Sequence, residues 1–284
     1  MNDDCPSTTA LRVAARRAAH RVLDVPKIFD DPLALPILGL DKGSTAGHGQ
    51  GWLDDSPLSR VLRASLAARS RSAEDALRHA REHGVNQYVI LGAGLDTFAY
   101  RTPSPGDGLL VFEVDHPAMQ AWKRRRLQAA AIAIPPHCTF APVDFETQTL
   151  ADGLRQAGFR TDKPAFFSWL GVTMYLTAGA IEATLRFIAA LPAGSGIVFD
   201  YLIAPALLSP EARRAFDGLA GRVAAAGEPF RTFFDPAALA DHLRDLGFGR
   251  VEDIAPEAMD ARYFQGRTDG LRAGKLAHVM MARV

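Results

Sequence analysis

The sequence predicts an α/β fold: a seven-stranded sheet, mostly parallel with an antiparallel last strand, preceded by a helical cap and carrying a helical insertion after the fifth strand. Three observations predict it. Gln87-Tyr88-Val89-Ile90-Leu91 is an apolar strand that runs straight into the two-glycine turn Gly92-Ala93-Gly94, the usual mouth of a nucleotide-type cofactor site in an open α/β sheet. From Tyr88 onward, short apolar runs alternate with helical segments, as parallel strands with crossover helices require. Two late apolar runs then follow, and no second half of the chain repeats the glycine turn.

The elements follow in order. Thr9 to Leu23 places Leu11, Ala15, Ala18, Ala19 and Val22 at helical spacing, and Pro26 ends the run. Phe29-Asp30-Asp31-Pro32-Leu33-Ala34 suggests a capped helix start. Residues 39–52, rich in Gly and Ser, read as a surface loop, and Leu58 to His83 as one or two helices. After the glycine turn come strands at 109–115, 139–143, 165–170 and 196–201, with helices at 116–133 and 178–191. A helical insertion follows at 209–226, then a helix opened by Asp235-Pro236 and running to Leu246, then strands at 250–254 and 277–283. The division expected is a helical N-terminal cap over residues 1–85, packed on a cofactor-binding domain of residues 86–284 whose insertion spans 205–234. The cap is extra to a doubly wound sheet, so it is expected to serve as a lid or side wall over the cofactor mouth.

Composition narrows the function classes. With 284 residues the chain can bury a full core, and 48% hydrophobic residues argue against disorder. Lys plus Arg and Asp plus Glu stand at 32 each, so no basic field exists to gather nucleic acid or an anionic membrane. Cys5 and Cys138 are too few for a disulfide framework or a zinc site, which points to a reducing cytoplasm. No leader, anchor or membrane span is read in the sequence. GxSxG, HExxH and CxxC motifs are absent, which sets aside the commonest hydrolase, zinc-protease and redox signatures.

The candidate binding residues cluster at strand ends. Thr97 stands where the third glycine of GxGxxG would be, and Asp96 at the turn would repel a pyrophosphate, which favours a cofactor with a positive group, such as S-adenosylmethionine, over NAD. Asp96 itself would hold a methionine ammonium or cap the following helix. Asp115, 21 residues past Gly94 at the end of the second strand, would accept both hydroxyls of a ribose, or cap the helix at His116-Pro117. Asp144-Phe145 repeats the pattern after the third strand: the carboxylate would meet an adenine amino group and the ring border the base, unless Asp144 is a plain strand-end cap. Either Arg69 or Arg71 would reach a cofactor carboxylate as a charge-assisted pair, or both are exposed helical arginines. His116 reads as a turn residue, and Lys123 to Arg126 as the solvated face of a helix.

Three segments also carry a family resemblance. Leu91-Gly92-Ala93-Gly94-Leu95-Asp96-Thr97-Phe98-Ala99-Tyr100-Arg101, Phe112-Glu113-Val114-Asp115-His116-Pro117 and Gly171-Val172-Thr173-Met174-Tyr175-Leu176-Thr177 resemble the successive signatures of the leucine carboxyl methyltransferase-like group, including its bacterial O-methyltransferases. Ala14 to Ala34 resembles the family's cap, and Gly227-Glu228-Pro229-Phe230 through Gly247-Phe248 its late segment. The resemblance implies a Rossmann-like class I methyltransferase sheet and an S-adenosylmethionine site. Gly92 and Gly94 would form its turn, Asp115 would bind ribose, Asp144 and Phe145 adenine, and Arg69 the carboxylate. Eukaryotic members have an acid where this chain has Leu170, so contacts made by that acid do not carry over.

The chemistry expected is in-line displacement by an acceptor oxygen, carboxylate or hydroxyl, of a small molecule, with the protein supplying alignment and exclusion of water. Tyr175 is the candidate for touching the acceptor, or else a buried structural tyrosine; Phe230, Phe233 and Phe234 would frame an apolar pocket, and an arginine such as Arg101 would steer an acidic acceptor. The rival readings are an NAD-dependent oxidoreductase, which the missing third glycine and the absent Tyr-x-x-x-Lys pair disfavour, and a cofactor-binding protein without turnover.

Overall fold

A computed structural model describes residues 7–40, 53–101, 108–144 and 148–284. Its seven strands form one sheet: β1 (Gln87–Leu91), β2 (Leu110–Asp115), β3 (Cys138–Pro142), β4 (Phe166–Trp169), β5 (Gly196–Leu202), β6 (Arg250–Ile254) and β7 (Ala277–Arg283). Their order is β3-β2-β1-β4-β5-β7-β6. All neighbours run parallel except at β7, which is antiparallel to both β5 and β6. The crossover direction reverses between β1 and β4, so the C-terminal ends of those two strands open the crevice in which such sheets bind ligands.

Every residue of β1 is buried, because the sheet is covered on both faces and alternate side chains enter different cores. Tyr88 and Ile90 pack with the alanine-rich helix α2 (Pro57–Glu82) on one face, together with Met259 and Phe264 near the chain's end. Val89 and Leu91 join Phe167, Phe199, Ile181 and Leu243 on the other. Ala64, Ala67, Ala68, Ala73, Ala76 and Ala80 present small side chains that let α2 lie close on the sheet, so this part of the N-terminal region belongs to the main core.

Helix α1 (Thr8–Leu23) begins where Ser7 accepts the Ala10 N–H and lies against α2. The segment after it differs from expectation. Asp31 accepts the Leu33 N–H, yet residues 32–35 form turns leading into a short 3-10 stretch, Pro36–Leu38. Pro36 has no N–H to donate to the Pro32 carbonyl, so the α-helical hydrogen-bond ladder is interrupted there although Leu35 itself is in the right-handed helical region. The loop expected at 39–52 lies mostly outside the described residues.

Helix α3 (Phe98–Arg101) is short, and α4 (Pro117–Ala129) is capped by His116, whose Nδ1 accepts the Ala118 N–H. The basic run on α4 is only in part a solvated face: Arg124 and Arg125 are exposed, but Lys123 and Arg126 are drawn inward. Lys123 is buried with its Nζ 2.7 Å from Glu113, which also receives the Tyr100 hydroxyl, and Arg126 donates to the Ile37 carbonyl. Charge at the sequence level does not reveal a long side chain whose stem packs inward to a buried partner. Burial pushes the neighbouring Cys138 thiol up to about 12, which leaves it protonated and unreactive.

Helices α5 (Leu150–Gln156) and α6 (Ala178–Ala189) cover the second face, α7 (Pro210–Ala225) forms the insertion, α8 (Pro236–Asp245) starts at the Asp235 cap, and α9 (Pro256–Tyr263) precedes the last strand. No helix among the described residues is long and apolar enough to cross a membrane.

Candidate active site

The turn after β1 sets the floor of the site. Gly92 sits at φ +63, and a Cβ there would lie 2.4 Å from Val172 Cγ2, so the position excludes side chains both by conformation and by contact. The Gly94 N–H donates to Asp115 Oδ2 at 2.6 Å, and the His116 N–H to Oδ1 at 2.8 Å. Two backbone donors thus aim the Asp115 carboxylate across the turn. Burial pushes its pKa up, while those two bonds act against the shift. Asp96 accepts the Phe98 N–H at 2.7 Å, the Asx cap that starts α3.

A cavity of about 390 Å³ opens above this turn. Its floor is Leu91 to Asp96, with Asp115 and Met119 at one end and Ser168, Leu170, Gly171, Val172 and Tyr175, which follow from β4, at the other. Helix α1 covers it through Ala10, Val13, Ala14 and Arg17, and Gly227 to Pro229 with Arg231 complete its rim. The roof is bolted to the floor through charge. The Arg17 guanidinium lies 2.7 Å from the fully buried Asp31 and donates to the Leu95 carbonyl, while the Thr97 hydroxyl donates to the same Asp31 oxygen at 2.7 Å.

Arg69 projects from α2 into this wall, whereas Arg71 is exposed and paired with Asp75. One Arg69 nitrogen donates to Asp200 Oδ2 at 2.5 Å, and its Nε is buried with no hydrogen-bond partner among the described residues. Asp200, in the second half of β5, also accepts the Gly171 N–H through Oδ1. Gly171 is tight against the guanidinium, since a Cβ there would come within 2.8 Å of Arg69 Nη2. The carboxylate that orders this turn therefore comes from β5, and Leu170 simply lines the cavity.

Of the residues singled out in the sequence, Arg69, Gly92, Gly94, Asp96, Asp115 and Tyr175 all line this cavity. Asp144 follows β3, one strand beyond Asp115, and is not among the described lining residues; Phe145 lies outside the described residues. Arg101 does not face the cavity. It pairs with Glu74 and lies over the rings of Phe29 and Phe98. Phe230, Phe233 and Phe234 do not line it either: Phe230 backs Tyr175 at 5.6 Å between centroids, Phe233 meets Phe216, and Phe234 meets Tyr201. Reasoning from sequence missed Asp200, Asp31, Arg17 and Glu228. Asp200 had a visible signal, an acid closing an apolar strand like Asp115 and Asp144; the Arg17–Asp31 pairing had none.

The contact at Gly92 yields a prediction. Gly92→Ala is expected to cost about 2 kcal/mol in denaturant unfolding through left-handed strain and the Val172 clash. Val172→Ala in the same chain should restore about half of that loss. Strict additivity of the two substitutions would show that the side chains do not meet.

The comparisons with known proteins agree with this geometry. The family model described as leucine carboxyl methyltransferase matches residues 10–189. The chain is 32% identical to a Bacillus subtilis (strain 168) protein named "Putative S-adenosyl-L-methionine-dependent methyltransferase YktD", over 97% of each chain. A relative of the same description from Mycolicibacterium gilvum (strain PYR-GCK) is 32% identical, over 90% of this chain and 85% of its own. Among solved structures, a duf574 family protein from Streptomyces avermitilis matches with a TM-score of 0.54 at 17% identity, over 95% of this chain and 96% of its own. A Thermobifida fusca YX protein described as "a putative methyltransferase" matches with a TM-score of 0.53 at 20% identity, over 78% of this chain and 82% of its own. The sheet is that of the class I methyltransferases, and the chain belongs to the leucine carboxyl methyltransferase family, as an enzyme whose cofactor is S-adenosylmethionine.

Proposed function

We propose that the protein methylates an oxygen of a small molecule in the cavity beneath α1. The observation that carries this reading is the meeting of Gly92, Gly94, Asp96, Asp115, Arg69 and Tyr175 around one space at the sheet's switch point. Their chemistry suits the cofactor's parts. Asp115 would take the ribose hydroxyls, because its two oxygens are already fixed by the Gly94 and His116 N–H groups and keep free lone pairs. Arg69 would hold the amino-acid carboxylate, and Asp96 the ammonium. Asp144, which follows β3 beside the Asp115 strand, would meet the adenine amino group, and the expectation that Phe145 borders the ring falls outside the described residues.

S-adenosylmethionine, when bound, supplies a methyl group on a sulfonium that is open to attack in line with the sulfur. The protein's part is alignment and dryness. Helix α1, Gly227 to Pro229 and Arg231 border the space, and Tyr175 stands where an acceptor would sit. The Tyr175 phenol has its pKa raised, first by burial, so near neutral pH it is a hydrogen-bond donor.

Calorimetric titration with S-adenosylmethionine, beside NAD, tests the cofactor site, and transfer of labelled methyl to a panel of small molecules tests the reaction. Methyl esters lose their label in alkali and methyl ethers keep it, which tells carboxylate from hydroxyl acceptors. Heat with NAD and none with S-adenosylmethionine would overturn the reading.

A further inference from the structure

The segment Gly227-Glu228-Pro229-Phe230 stood out in the sequence, and the cofactor site does not use it. Glu228 lines the cavity, and its charge acts on Tyr175. Of the three lining carboxylates, Asp96 and Asp115 accept backbone N–H groups, whereas Glu228 accepts only hydroxyls and makes no salt bridge among the described residues. Ser7, the cap of α1, donates to its Oε1 at 2.9 Å, and the Thr9 hydroxyl donates to its Oε2. The cationic groups in this wall are committed or peripheral: Arg69 to Asp200, Arg17 to Asp31, and Arg231 exposed at the rim.

We propose that Glu228 receives the acceptor: it accepts a hydrogen bond from the reacting hydroxyl and takes its proton as the methyl is transferred, so the acceptor is a hydroxyl compound and not a carboxylic acid. This rests on the reading of the cavity given above. The wall already uses this carboxylate as a receptor for two hydroxyls, and an acceptor hydroxyl presents the same group. A carboxylate acceptor would bring like charge towards it. An alcohol or phenol, unlike a carboxylate, needs somewhere for its proton to go. Tyr175 is kept protonated by burial, with the Glu228 charge adding to that shift, and the other two lining carboxylates are held by backbone donors. In the step, the acceptor oxygen forms its bond to the methyl carbon and the sulfur–methyl bond breaks with its electron pair on sulfur. The hydroxyl proton passes to a Glu228 oxygen and leaves to water afterwards.

A carboxylate facing the methyl also favours the sulfonium over the neutral thioether left after transfer. The first test is therefore calorimetric: affinities of wild type, Glu228→Gln and a Ser7→Ala/Thr9→Ala variant for S-adenosylmethionine and S-adenosylhomocysteine. Glu228→Gln is expected to lower the preference for S-adenosylmethionine about 5-fold with little change towards S-adenosylhomocysteine. The hydroxyl-deleted variant, which keeps the charge, should retain the preference. An unchanged preference in Glu228→Gln, with both ligands still bound, overturns the proposal alone; loss of both ligands by wild type overturns the underlying cofactor site.

The second test offers labelled S-adenosylmethionine with phenols and primary alcohols, each paired with the carboxylic acid of the same skeleton. Alkali-stable label that falls at least 100-fold in Glu228→Gln, with the acidic limb of the wild-type pH profile lost, supports the proposal. Alkali-labile label formed equally by both proteins overturns it.

Discussion

Asp115→Ala is expected to weaken S-adenosylmethionine binding by about 100-fold or more while shifting the melting temperature by only a few degrees. The affinity loss follows from removing two hydrogen bonds to a charged acceptor, each worth about 1.5–3 kcal/mol. The small effect on stability follows from opposing terms. Burial raises the Asp115 pKa, so the ionised carboxylate costs the empty protein stability at neutral pH, and that cost is relieved as pH falls through the folded-state pKa. Alanine removes this cost, but it also frees the Gly94 and His116 N–H groups that the carboxylate holds. The sign for binding is the reverse: ribose recognition needs the ionised form, so affinity should decline on acidification at a higher pH than an ordinary aspartate would give. Calorimetry across pH checks both, with thermal unfolding run in parallel. A variant that unfolds far below wild type yet binds normally when folded would mean that Asp115 is a structural cap.

The sequence made the sheet legible because strands buried on both faces read as continuous apolar runs, and the glycine turn fixed where the first one ends. β6 and β7 match expectation residue for residue. The site was legible where its residues lie at strand ends, since the topology delivers those ends to one crevice whatever the side chains do. It was illegible where partners meet across the fold. Lys123 looked solvated because Glu113 sits on another element. Arg101 looked available because Glu74, on α2, could not be placed beside it. Phe230 looked like pocket lining because aromatic residues in an insertion fit either side of a wall, and here it supports Tyr175 from behind. Glu228 stands in a segment that resembles the family's late motif, but its contact with Ser7 and Thr9 spans more than 200 residues of chain, and no local pattern encodes such a contact.

The other large effect expected is at Asp31. Asp31→Ala should cost about 3–5 kcal/mol and lower the melting temperature by about 10 °C, because it leaves the Arg17 guanidinium buried without its counter-charge. Arg17 is 9% exposed and Asp31 0%, so water cannot replace the lost partner. The damage is not confined to stability. Asp31 also takes the Thr97 hydroxyl and the Leu33 N–H, and Arg17 reaches the Leu95 carbonyl, so one carboxylate ties the cap, α1 and the glycine turn together. Its loss should therefore weaken S-adenosylmethionine binding although Asp31 does not line the cavity, and hydrogen exchange in α1 should quicken. Replacing the pair together, Arg17→Met with Asp31→Leu, separates the two effects. An apolar pair of similar volume avoids the unpaired charge and should recover most of the melting temperature. It cannot recover the bonds to Leu95 and Thr97, so the cofactor affinity should stay low. If the double variant regained full affinity, the tie between cap and turn would be mere packing; if Asp31→Ala melted with wild type, the buried pair would not exist in solution.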